Sequence, residues 1–224
     1  MGQLPLDLGF RPALGRADFL IAPCNQAAVA WLDRWPNWPA TALALSGPAG
    51  SGKTHLGEVW RARSGAVAID HAALTPASVP TLLGAAKAAF VDDAERADEE
   101  ALLHLHNFLG ERQGHLLVAS RQPPARWRIA LADLRSRLIA APMVAVEGPD
   151  DSLIGALLVK LFADRQLAVA EEVIAYLAIQ LDRSFEAARE TVAALDRASL
   201  AHNRAITVPL ARTVLGDLRS RDPG

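Results

Sequence analysis

The chain has 224 residues, of which 51% are apolar and 21% charged, and a formal net charge of −2. That length suits one large domain or a core with a small appendage. The composition is that of a soluble globular protein rather than a disordered or fibrous one. The near-neutral balance, without a long run of Lys or Arg, argues against a general duplex binder, which must neutralise many phosphates.

Residues 1–23 hold three prolines and little helical period, as an extended arm would. Within them, Leu4, Leu6 and Leu8 alternate after Gln3. An extended segment of that pattern turns its three leucines toward one apolar cleft of a partner, with Gln3 as a polar anchor. Cys24 is the single cysteine, so no internal disulfide and no thiolate metal site can form. It reads as a buried structural thiol in a reducing cytoplasm. Residues 25–35 read as a short helix with Asn25 as N-cap, ended by the prolines at 36 and 39. Trp31, Trp35 and Trp38 are expected to brace the core rather than stack on bases.

Short apolar runs at 41–46, 66–70, 87–92, 115–120 and 142–146 read as buried strands. Helical stretches near 52–63, 76–86, 98–112 and 130–138 fall between them. Alternation of this kind predicts an α/β fold with a parallel five-stranded sheet covered by helices on both faces. From about residue 149 the period becomes purely helical. Leu153, Leu157 and Leu161 mark one apolar face. Val173, Leu177 and Leu181 mark a second, and Phe185, Ala188, Val192 and Leu195 a third, with a last helix from Pro209 to Arg219. The expected division is an arm at 1–23, a nucleotide-binding base domain at 24–148 and a small all-helical lid domain at 149–224. No segment approaches a membrane span.

The chemistry concentrates at Gly47, Pro48, Ala49, Gly50, Ser51, Gly52, Lys53 and Thr54, a complete G-x-x-x-x-G-K-[ST] run between a strand and a helix. Glycines let backbone N–H groups converge on phosphate oxygens, and the following helix turns its positive end to the anion. Lys53 is suited to reach the β and γ phosphates, and the Thr54 hydroxyl to ligand Mg²⁺. About forty residues on, Ala88-Ala-Phe-Val runs into Asp92 and Asp93. A carboxylate at the end of the neighbouring strand holds the metal's shell, which assigns Asp92 to Mg²⁺ and Asp93 to the attacking water. His104 and His106, two apart on a helix, face different ways and cannot share a metal, and the other histidines are scattered.

With these motifs, the chain resembles the AAA+ branch of the P-loop ATPases, in the group formed by the bacterial replication initiator DnaA and its homologue Hda. Asp92-Asp93 is similar to the group's Walker B acids, and Leu117-Val-Ala-Ser-Arg-Gln-Pro-Pro124 to its sensor 1 segment. The resemblance implies that Ser120 senses the γ-phosphate. Asp133-Leu-Arg-Ser-Arg-Leu138 resembles box VII, which makes Arg137 an arginine finger acting in trans. It also implies that His55 belongs to the nucleotide site and that Asn25 lines the adenine pocket. The group's sensor 2 arginine aligns with Glu186, so Arg183 and Arg189, read as sharing a helix face with it, are the expected substitute cations.

The sequence ends after the lid, without a helix-turn-helix DNA-reading domain, and Gln3 to Leu8 resembles the group's sliding-clamp-binding peptide. These features imply a cytoplasmic regulator, not a robust ATPase itself, whose partners are the DNA polymerase sliding clamp and DnaA. It would have no sequence-specific DNA binding of its own and no membrane contact. The implied cofactors are ADP or ATP with Mg²⁺, and a homo-oligomer is compatible. The alternatives are a DnaA-like adapter or loader at replication sites and a free-standing P-loop ATPase or kinase.

Overall fold

The computed structural model describes residues 21–202 and 204–221. The proposed clamp-binding residues Gln3, Leu4, Leu6 and Leu8 lie outside the described residues. The contacts divide the chain into two units. One runs through Ala49 and from Lys53 to Glu147; the other comprises Gly50–Gly52 and the chain from Gly148 onward.

The first unit carries five strands: β1 (Ala42–Ser46), β2 (Val67–Ile69), β3 (Ala88–Val91), β4 (His115–Ser120) and β5 (Met143–Ala145). They pair in the order β2-β3-β4-β1-β5, every pair parallel. Five helices accompany them: α1 (Pro23–Asp33), α2 (Lys53–Ser64), α3 (Val79–Leu83), α4 (Glu99–Glu111) and α5 (Ala132–Ala140). Both faces of the central strands β1, β3 and β4 are buried, which is why they are apolar runs rather than alternating ones. Ala42, Ala44, Ala89, Val91, Leu116 and Val118 pack with residues of α3, α4 and α5. Leu43, Leu45, Ala88, Phe90, Leu117 and Ala119 pack with residues of α1 and α2 on the other face. The period-two alternation of strand side chains thus divides β1, β3 and β4 between two cores.

Trp60 of α2 is fully buried, stacked on Trp38 at 5.3 Å between ring centroids and met edge-on by Trp35 at 6.2 Å. The tryptophans around the P-loop therefore serve the core, as their sequence setting suggests.

Two expected boundaries are corrected. Asn25 is not an N-cap. Pro23, with its φ preset for the first helical turn, opens α1 two residues earlier, and Ala22 is the cap. Asn25 is the third helical residue, and its Oδ1 accepts from the Ala22 N–H at 3.0 Å. Helix α3 is also shorter than 76–86, because the hydroxyl of Ser78 bonds back to the carbonyls of Ala73 and Thr75 and holds a turn there.

The second unit is helical: α6 (Asp151–Asp164), α7 (Glu171–Gln180), α8 (Phe185–His202) and α9 (Val208–Arg221). Asp150 caps α6 by accepting from the Leu153 N–H at 2.7 Å. Leu157, Leu158, Phe162, Val173, Leu177, Ala188, Val192, Leu195 and Ala211 supply its buried apolar faces. Among the described residues, no helix is long and apolar enough to cross a membrane.

One glycine tests how tightly α2 lies on the sheet. A Cβ at Gly57 would stand 2.1 Å from the Phe90 ring, itself 3% exposed. In an open helix Gly→Ala stabilises by about 1 kcal/mol. Here we expect Gly57→Ala to destabilise instead, by about 1–3 kcal/mol from overpacking, measured as the shift in urea denaturation.

Candidate functional site

A parallel sheet delivers its strand ends to one edge, and the predicted phosphate residues meet there. Strand β1 runs into Gly47, and β4, its parallel neighbour, pairs Ser120 with Ser46. The Gly47 N–H donates to the Ser120 carbonyl at 3.1 Å, tying the start of the loop to the end of β4. Gly50 and Gly52 take φ of +70° and +96°, the region where a side chain would be strained, and the loop then enters α2 at Lys53.

Lys53 is 6% exposed and folds over the loop, its Nζ donating to the carbonyls of Gly47 (2.8 Å) and Pro48 (2.7 Å). Burial lowers its pKa from the ordinary value and the Arg121 charge adds to this, while Asp92, Asp93 and Glu95 oppose it. The Thr54 hydroxyl donates to Asp92 Oδ2, placing two hard oxygen donors side by side. That pair suits Mg²⁺, which prefers a few protein oxygens and completes its shell with water and phosphate. Asp93 follows in the left-handed region at φ +44°, its N–H bonded to Asp92 Oδ1 at 3.0 Å. Ser120 is fully buried and donates its hydroxyl to the Gln122 carbonyl at 2.8 Å.

Two members of this field are absent from the sequence reading. Glu95 accepts from the Arg121 N–H at 2.8 Å, joining the segment after β3 to the segment after β4, and both side chains act electrostatically on Lys53. Glu95 three residues past Asp92 was the available signal; the link to Arg121 spans 26 residues and has none. A separate cleft of about 430 Å³ is lined by Glu95, Glu99, Arg121, Trp127 and Arg128 among others, and contains no residue of the loop at 47–54.

Arg137 lies on α5, half-exposed, in an i,i+4 pair with Asp133 (Nε–Oδ1 3.0 Å). Its helix is fixed by Leu134 and Leu138, each 1% exposed, and by Glu99 of α4. The Glu99 carboxylate accepts from the Ala130 N–H at 3.0 Å and the Leu131 N–H at 2.8 Å, at the start of a helix that has no side-chain cap of its own.

In the helical unit the expected sharing of one helix face by Arg183, Glu186 and Arg189 is corrected. Arg183 precedes α8, while Glu186 sits in its first turn and Arg189 further along. Arg183 turns instead to Asp151 at the start of α6, with Nε–Oδ1 3.0 Å and Nη2–Oδ2 3.1 Å. The Asp182-Arg183-Ser184 stretch is a connection between helices, so helical spacing does not apply to it.

His106 on α4 is 8% exposed and feels the Arg137 charge. Burial disfavours its charged form and Arg137 adds to that, outweighing Asn107 and Asp133, so its pKa lies below the ordinary 6.5. Below that value the unfolded chain takes up a proton that the folded chain refuses. Stability should therefore fall as pH drops from 6.5 toward the folded pKa, and be indifferent to this group well above 6.5. His115, also lowered by burial, acts with the same sign. His106→Gln should shrink the loss of urea-denaturation stability between about pH 7.5 and about pH 5.5; an unchanged loss would contradict the assignment.

With this geometry established, comparison with known proteins places the chain. Residues 151–215 match the family model described as Hda, lid domain. Domain III of the Thermotoga maritima replication initiation protein DnaA superposes with a TM-score of 0.78 at 17% identity, over 92% of this chain and 97% of that one. AMPPCP-bound DnaA from Aquifex aeolicus gives 0.68 at 16% identity, over 80% of this chain and 63% of that one. The Thermotoga maritima RuvB Holliday junction branch migration motor gives 0.68 at 14% identity, over 87% and 67%. The chain has the fold of DnaA domain III, and its residues 151–215 match the Hda lid domain model.

Proposed function

We propose that this chain regulates chromosomal replication initiation, docking on the DNA-loaded sliding clamp and stimulating ATP hydrolysis by DnaA through Arg137 supplied in trans. The observation that carries this reading is a half-exposed arginine on a braced helix of a DnaA-type fold whose residues 151–215 match the Hda lid domain model. An arginine at a neighbour's γ-phosphate stabilises the charge that develops there during transfer, which speeds hydrolysis by orders of magnitude.

The chain's own site would hold an adenine nucleotide. The Aquifex DnaA that shares its fold is bound to AMPPCP, and the loop at 47–54 has the glycines and lysine of the phosphate-binding motif. Thr54 and Asp92 would hold Mg²⁺, which neutralises phosphate charge. Asp93 would orient water, and Ser120 and His55 would border the phosphates. Asn25 would border the adenine, and Arg189 on α8 would stand in for the cation that Glu186 replaces. With Glu186 there, bound ADP or ATP sets the shape of the partner-facing surface more than it is turned over. Gln3, Leu4, Leu6 and Leu8 would carry the clamp contact. The protein works in the cytoplasm.

Two measurements test the two contacts separately. Arg137→Ala is expected to leave clamp pull-down intact and to reduce stimulated hydrolysis by DnaA by about 10³-fold or more, to the unstimulated rate; full stimulation by the variant refutes the finger. Gln3→Ala combined with Leu8→Ala is expected to abolish pull-down by purified clamp, and retained binding removes the docking claim.

A further inference from the structure

The side chain of Arg137 is gripped on one edge only. Its Nε donates to Asp133 Oδ1 at 3.0 Å and its Nη2 to Asp133 Oδ2 at 3.2 Å, so both carboxylate oxygens engage the same side of the planar fork. Among the described residues no hydrogen bond to Nη1 accompanies them, and the outer edge of the guanidinium remains available for a second bidentate acceptor such as a phosphate.

Asp133 is itself well placed to hold its position. It stands in the first turn of α5, where the helix dipole favours a carboxylate. That turn is fixed from behind by Glu99 and from below by Leu134. A chain of contacts therefore runs from α4 through Glu99 to the start of α5, and from Asp133 across one helical turn to Arg137.

Resting on the reading of Arg137 as a finger, we propose that Asp133 is its positioning residue, holding the guanidinium by the Nε edge and presenting the Nη1 edge to the partner's phosphate. An ion pair with side chains 39% and 55% exposed is too screened to withhold Arg137 from a polyphosphate. It is sufficient to restrict the rotamers of a long side chain before the partner arrives, and interactions arranged in advance lower the cost of reaching the transition state.

The test titrates wild type, Asp133→Ala, Asp133→Asn and Arg137→Ala into ATP-bound DnaA with DNA-loaded clamp, recording the plateau hydrolysis rate and the half-saturating concentration. Asp133 is more than half exposed, so its variants should melt close to wild type. Asp133→Ala should lower the plateau about two- to tenfold, the range for leaving one long side chain unfixed, with the half-saturating concentration unchanged. Asp133→Asn, which keeps one acceptor oxygen, should fall between it and wild type. If Arg137→Ala abolishes stimulation while Asp133→Ala equals or exceeds wild type, the positioning role is wrong and the finger stands. Equal losses in Asp133→Ala and Asp133→Asn also overturn it, since charge at the helix start, not grip, would then be responsible. Stimulation surviving Arg137→Ala removes the finger itself.

Discussion

The candidate phosphate site depends on one pairing, the parallel register of Ala42–Ser46 against Leu116–Ser120. It sets Ser46 opposite Ser120, so the chain leaving β1 for the P-loop starts beside the chain leaving β4, and the Gly47–Ser120 backbone bond fixes them there. Strand β3 pairs with β4 on its other side, which brings Asp92 and Asp93 to the same edge. A one-residue slip would exchange the Ala42/Ala44 face for the Leu43/Leu45 face, sending the leucines into the core packed around the alanines and the alanines into the core packed around the leucines. The packing of two unlike cores thus enforces the alignment of the site.

Helix α5 is held to a similar tolerance by a different means. Its apolar contribution to the core is small, with Leu134 and Leu138 its buried apolar side chains, and it begins without a side-chain cap of its own. Glu99 supplies that cap from the first residue of α4, 31 residues away in sequence to Ala130 and 32 to Leu131. Because a carboxylate binding backbone N–H groups makes charge-assisted hydrogen bonds, it constrains direction as well as distance. The orientation of α5, and with it of Arg137, is thereby coupled to α4, whose Leu102, Leu105 and Leu109 are buried against the sheet.

Much of the fold was legible in the sequence because the signals were redundant. Each of the five strands is a short apolar run, and each is bounded by Gly, Pro or charged residues that stop it. The glycine-rich loop at 47–54 was legible for another reason: its backbone conformation needs glycines at fixed spacing, as the positive φ of Gly50 and Gly52 shows. The misreadings share a cause. Asn25 has the residue type of a cap, but Pro23 starts the helix earlier, and Arg183 has helical spacing to Glu186 but lies in the connection before α8. In both cases composition was read correctly and the element boundary was not, and a boundary shift of two residues changes what a polar side chain can reach.

What was not legible is long-range carboxylate chemistry. Glu95 and Glu99 look like ordinary acids flanking a helix start, since Asp98 already fills the cap of α4 by accepting from Ala101 N–H. Yet each reaches across to a different backbone segment, Glu95 to Arg121 and Glu99 to Ala130 and Leu131. Between those two anchors lies the connection from the sensor-like Ser120 to the helix of Arg137. One acid therefore sets the start of that connection next to Lys53, and the other sets its end next to α5. Any displacement of the segment after β3, where Asp92 and Asp93 sit, would pull on the first anchor directly. Both anchors are side-chain bonds to loop backbone and not part of a strand ladder.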